Sequence, residues 1–161
     1  MGRPAMGGWE DLVSGFQETL QVGALKVRFV VEPEDSNGSV SVFECSVPAQ
    51  ATMPAPHSHD AFEETVYGLE GVSTWTVDGQ VHEIGVGDAV CVARGAVHGF
   101  DNRGAQDAKF LAISTPGVMR PDYFREMGGV LAASAGSPPD PVRIGEVMRR
   151  YGLTPAPRPT G

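Results

Sequence analysis

Long apolar runs are missing from this 161-residue chain. No stretch approaches the roughly 20 residues that a helix needs to cross a bilayer, which argues against a helical membrane protein. Residues 1–11 contain no apolar segment of the secretory kind, so the expected location is cytoplasmic. Cysteine is scarce. Cys45 and Cys91 are the two present, each inside an apolar, strand-like run, and both are expected as buried, reduced thiols. A disulfide-stapled scaffold is thereby set aside.

Basic clusters are missing too. Arg149-Arg150 is too short to form one, and the net charge is −8 with a pI near 4.9. Such a surface repels phosphate backbones and anionic lipid, so neither nucleic acid nor a membrane is an expected partner. No helix-turn-helix is readable, which weakens any reading as a sensor.

Turn formers, by contrast, are abundant, with 21 glycines and 13 prolines, while 41% of residues are apolar. The length suits one domain with a core. Strand-like segments recur at Leu25–Glu32, Ser39–Val47, Glu64–Leu69, Val72–Val77, Gln80–Ile84, Ala89–Ala93, Val97–Asn102 and Lys109–Ser114. Asp78-Gly79 between two of them is a strong hairpin signal. Some eight short strands at regular spacing predict an all-β, antiparallel sandwich or barrel of jelly-roll type.

The flanks differ from this body. Trp9, Leu12, Val13 and Phe16 fall at helical spacing and suggest a short docking helix. Pro121–Leu131 places Tyr123, Phe124, Met127, Val130 and Leu131 on one helical face, with Pro in its first turn and Asp122 near the positive dipole end. Pro141–Tyr151 reads as a second, weaker helix, and the Pro-rich residues 154–161 as a frayed tail. The expected organisation is an N-terminal arm at 1–24, a barrel at 25–116 and a helical extension with a tail at 117–161.

Four histidines are present, and three share a pattern. His57 and His59 are separated by one residue, so in an extended strand both imidazoles point to the same face. Glu64 follows after four residues, room for a turn that lets a carboxylate point back. His98 comes some forty residues later, just past a Gly-containing turn. Three neutral nitrogens and a carboxylate are a ligand set for a first-row divalent metal. His82 matches no such pattern and is read as a surface residue.

The spacing around these residues resembles the cupin superfamily. Its first motif reads here as His57-Ser-His59-Asp-Ala-Phe-Glu-Glu64-Thr-Val-Tyr-Gly-Leu-Glu-Gly71. The six residues between Glu64 and Gly71 select Glu64 over Glu63, which is left as a solvated or supporting group. The second motif reads Gly87-Asp-Ala-Val-Cys-Val-Ala93-Arg-Gly95-Ala-Val-His98-Gly-Phe-Asp-Asn102. Two departures touch no ligand position: Ala93 stands for the usual Pro, and the leading Gly of the first motif is absent. The resemblance covers about Gly38 to Thr115.

The resemblance implies a double-stranded β-helix, that is, a jelly-roll barrel with short C-terminal helices and an N-terminal arm. It also implies one divalent ion (Fe, Ni, Co, Mn or Zn) on His57, His59, Glu64 and His98, and a homodimer. The segment from Thr115 to Glu126 is similar to the helix that follows the barrel in single-domain cupins related to quercetin dioxygenases. The leading expectation is therefore an enzyme, a dioxygenase acting on a small enolisable or aromatic molecule of phenol or flavonol type, with Glu64 as both ligand and base. A non-redox polyketide cyclase or isomerase and a ligand-binding cupin without turnover are the alternatives. Strand parity places Val66 and Gly68 inward with Glu64, so Gly68 is expected to widen the cavity near the metal. Trp75, Phe100, Phe110 and Tyr67 are candidates to line the barrel.

Overall fold

The computed structural model describes residues 18–53, 55–134 and 136–157. The helix expected around Trp9–Phe16 lies outside them. Eleven strands fall in chain order: β1 (Thr19–Val22), β2 (Leu25–Val31), β3 (Ser41–Val47), β4 (His57–His59), β5 (Glu63–Glu70), β6 (Ser73–Val77), β7 (Gln80–Ile84), β8 (Ala89–Val92), β9 (His98–Asp101), β10 (Ala108–Thr115) and β11 (Leu153–Pro155). Two helices, α1 (Pro121–Ala133) and α2 (Pro141–Arg150), lie between β10 and β11.

The strands form two antiparallel sheets. One has the order β1-β2-β3-β10-β5-β8 and the other β11-β4-β9-β6-β7. This is the expected jelly-roll architecture, with strict alternation as its cause. In β3 the residues Ser41, Phe43, Cys45 and Val47 are buried, and their neighbours face outward. In β10, Ala108, Phe110, Ala112 and Ser114 do the same. Facing rows from both sheets then meet in one core that includes Phe43, Val66, Trp75, Phe110 and Ala112.

The Asp78-Gly79 hairpin forms as expected. Val77 pairs with Gln80, and both turn residues have positive φ, 47° and 80°, which matches the twist of the flanking strands.

Three expectations about side-chain placement change. Gly68 does not widen the cavity. A Cβ there would lie 1.9 Å from the carbonyl oxygen of Gly85, so the residue is small because β5 runs against the turn before β8. Two backbone hydrogen bonds mark that approach, from Gly68 N to Asp88 O and from Gly87 N to Gly68 O. Tyr67 is 43% exposed and faces outward, because it has the opposite parity to Glu64. Cys91 is exposed as well, opposite the outward Thr65, whereas Cys45 is buried.

The C-terminal segment is more ordered than its composition suggests. Pro121 starts α1, and the Asp140 side chain caps α2 by accepting from Val142 N. After α2 the chain returns to the second sheet. β11 pairs with β4 in the register Leu153 to His59, Thr154 to Ser58 and Pro155 to His57. Among the described residues no helix is long and apolar enough to cross a membrane.

Candidate metal centre

β4 carries His57 and His59, β9 carries His98, and β5 carries Glu64. β4 and β9 are neighbours with His57 opposite His98. β5 lies in the facing sheet and turns Glu64 inward by its alternation. The four residues, from two distant stretches of sequence, therefore meet between the sheets, and all are buried.

Hydrogen bonds to the backbone aim two of the rings. His57 Nδ1 lies 3.2 Å from the Ala55 carbonyl, and His98 Nδ1 lies 3.0 Å from that of Ala96. A ring that donates Nδ1–H to a carbonyl presents Nε2 as a lone pair, the form that a metal ion takes. His57 Nε2 is 3.2 Å from His59 Nε2. Glu64 Oε2 is 3.4 Å from His98 Nε2 and 3.8 Å from His59 Nε2. His59 is also stacked on Phe62, with ring centroids 4.1 Å apart.

These positions suit a divalent ion. The ligand nitrogens of the three histidines all lie within 4.8 Å of one another. Two donors each about 2.1 Å from one ion lie roughly 3 Å apart at right angles and further apart at tetrahedral angles. His98 Nε2 is buried without a hydrogen-bond partner among the described residues, as is His59 Nδ1. A buried polar nitrogen left alone costs free energy, and an ion beside His98 Nε2 would supply its missing partner.

The electrostatics agree with this. Burial holds the His57 ring down to about 3, helped by repulsion from His98 and His59. Burial holds His59 down to about 4, although Glu64 pulls the other way. Both are thus neutral, ligand-ready imidazoles at neutral pH. For His98, burial disfavours the charged ring, but the Glu64 carboxylate outweighs burial and raises the pKa. Burial alone would raise Glu64, yet the surrounding imidazoles hold it below the usual carboxylate range.

The neighbours of these four residues divide clearly. Glu63 points outward and pairs with Arg94 at 2.6 Å, so it takes no part in the centre. His82 is half-buried on β7, opposite Trp75, and is not in the group of histidines that could hold an ion. Asn102 is a support for the turn after His98: its amide donates to Val47 O and Gln106 O, and its oxygen accepts from Gly104 N.

A cavity of about 60 Å³ opens onto the cluster. Trp75, Phe100 and Phe110 line it, as expected. So do Met119 just before α1 and Tyr123, Phe124 and Met127 on α1. These four were not recognisable as site residues, because nothing in the strand motifs says where a helix some twenty residues beyond them will pack. The helical periodicity of Tyr123, Phe124 and Met127 marked a buried face, but not what that face covers. No Lys or Arg is among the lining residues.

Comparison with known proteins gives the following. Residues 43–114 match the family model described as a cupin domain. The quercetin 2,3-dioxygenase of Bacillus subtilis (strain 168) is 29% identical over 117 residues, which are 73% of this chain and 34% of that protein. The chain thus matches about a third of that relative's length. Among solved structures, the polyketide cyclase RemF from Streptomyces resistomycificus is similar with a TM-score of 0.56 and 25% identity, covering 65% of this chain and 76% of that one. A predicted oxalate decarboxylase from Thermotoga maritima has a TM-score of 0.57 at 21% identity, over 62% of this chain and 91% of that one, a likeness of fold alone.

Proposed function

We propose, from the match of residues 43–114 to the cupin-domain family model, that this chain is a metal-dependent enzyme acting on a small enolisable or aromatic substrate. The dioxygenase reaction is the leading reading. His57, His59, Glu64 and His98 would hold the divalent ion. When bound, the ion supplies Lewis acidity and lowers the pKa of an enol or phenol that approaches it.

The observation that carries this reading is the contrast between the floor and the walls of the cavity. The ligating groups sit together at one place, and the remaining lining is aromatic, aliphatic or sulfur-bearing, with no cationic side chain. A divalent ion with one carboxylate leaves a net single positive charge, which suits one anionic oxygen. A dicarboxylate would strand its second charge against Phe43, Phe110 and Met127 without a partner. An enolate or phenolate with an apolar body leaves none stranded. Glu64 is the group beside the ion site that can accept the substrate's hydroxyl proton, because its carboxylate is held ionised.

The size of the cavity adds a condition. At about 60 Å³ it is well below the roughly 150 Å³ that accommodates benzene in a protein core. Ring-sized substrates must therefore displace side chains on or just before α1. Met119 and Met127 are suited to this, since methionine rearranges readily.

The test is oxygen uptake by protein loaded in turn with iron, manganese, cobalt, nickel and zinc, with 3-hydroxyflavone as substrate. Uptake matched by loss of the flavonol is expected with at least one redox-active ion. A non-redox cyclase or isomerase is the second reading, favoured by the likeness to the polyketide cyclase over 76% of its length. Binding of the flavonol without oxygen uptake, under every ion, would overturn the dioxygenase reading.

A further inference from the structure

We infer that Tyr123, on α1, binds the substrate through its hydroxyl, opposite the metal ligands, and selects molecules with an oxygen in its reach. This inference rests on the proposed function above and names a residue that the strand motifs do not contain.

Three observations place it there. Tyr123 lines the same cavity as His57, His59, Glu64 and His98. It is 6% exposed, and no hydrogen bond to its hydroxyl is present among the described residues. It is also the one hydroxyl-bearing side chain on the wall. The remaining polar lining groups are the four metal-site residues, the Cys45 thiol and Trp75, and the Trp75 indole N–H is already engaged by Ser73 Oγ at 3.1 Å. Trp75 therefore has no donor to spare, and the thiol is a weak one.

The ring itself is well fixed. It meets Phe124 edge to face at 4.9 Å and Tyr151 at 5.6 Å. Its backbone sits in the first turn of α1, where Tyr123 N donates to Arg120 O. A phenol held this way has lost little further freedom to lose on binding. Burial and the nearby Glu64 charge both favour its neutral form, so it acts as a donor. A phenol O–H on the cavity wall is a donor that a substrate oxygen can engage. An analogue that lacks the oxygen would leave the donor unsatisfied, which is the basis of discrimination.

The experiment uses maltol, a single-ring 3-hydroxy-4-pyranone that chelates divalent ions, with zinc-loaded full-length protein. Wild type and Tyr123→Phe are titrated, and the affinity and absorption band of bound maltolate are read. Zinc content and thermal unfolding of both proteins serve as the control that only the hydroxyl was lost. Tyr123→Phe is expected to weaken maltol about 2- to 12-fold, the range for a hydrogen bond of ordinary net strength. The band of bound maltolate is expected to shift as well, because a donated hydrogen bond stabilises its anionic oxygen. Equal affinity and an unshifted band in the two proteins would overturn the inference and leave the proposed function standing. Failure of zinc-loaded wild type to bind maltol at all would overturn both.

Discussion

At the scale of single residues, the centre divides its protons unevenly. His57 and His59 are depressed to about 3 and about 4, whereas His98 is raised by Glu64. Between about pH 5 and 6.5 the first two are neutral in the folded protein, and only His98 holds a proton that an ion must displace. Zinc affinity is therefore expected to fall about tenfold per pH unit in this window, not the roughly thousandfold that three ordinary imidazoles would give. Chelator competition at several pH values measures the slope. The stability of metal-free protein has its own sign. Both depressed histidines are protonated in the unfolded chain below 6.5 but not in the folded one, so their contribution is lost as pH falls from 6.5 towards 4. Urea unfolding at pH 7 and pH 5 is expected to show the more acidic sample as less stable. His57→Ala is expected to abolish retention of the ion through gel filtration, with elemental analysis as the readout. Retention equal to wild type would remove His57 from the ligand set.

Elements decide what those residues can do, and here Gly68 and β11 matter most. Gly68→Val was expected from the sequence to shrink the ligand cavity. With the Gly85 carbonyl 1.9 Å from the new Cβ, β5 and the turn before β8 must separate instead. The expected result is a loss of stability at or beyond the usual 1–3 kcal/mol for overpacking, seen as a lower melting temperature. β11 is a second case. Leu153 is fully buried and pairs with His59. Leu153→Ala is expected to cost about 2–5 kcal/mol and to weaken zinc binding as well, because the packing that seats β11 against β4 is loosened. A variant that is destabilised yet binds zinc as wild type does would separate β11 from the centre.

These elements also show what was legible in the sequence and what was not. His57, His59, Glu64 and His98 could be chosen because i,i+2 alternation and fixed motif spacing are local properties of strands. Parity applied consistently along β5 would also have turned Tyr67 outward, since it is out of step with Glu64. The same pairing turns Cys91 outward beside Thr65. β11 escaped notice because three residues ending in proline carry no periodic signal, and its strand character comes wholly from pairing with β4. The role of Gly68 depends on Gly85, a contact across the sheet that no local pattern encodes. Tyr123 was visible as an apolar helical position, but its place in the cavity arises only when α1 packs across the barrel.

For the whole molecule, the barrel has one core, with the candidate metal centre inside it and α1 lining the cavity that reaches it. An ion bound there by the folded state alone stabilises that state by mass action. At a thousandfold excess over its Kd the gain is about 4 kcal/mol, or about 8–16 °C in melting temperature for a chain of this size. Thermal unfolding with added zinc and then with a chelator is expected to show a rise of this order and its reversal. An unchanged transition would argue against a site built from the folded sheets.

The pairing of β11 with β4 also sets an order of assembly. Residues 57–59 are made early, yet one of their two neighbouring strands lies near residue 154. The other neighbour, β9, pairs with β4 at His57 and His98 alone. Until some 95 further residues have emerged, β4 holds two histidines on a strand with an open edge. Closing so long a loop is slow compared with local folding. Capture of the ion during refolding should therefore follow the clock of β11 docking and lag behind the appearance of β-sheet signal. In the growing chain, the ion site would be finished late, by a strand that contributes none of the proposed ligands.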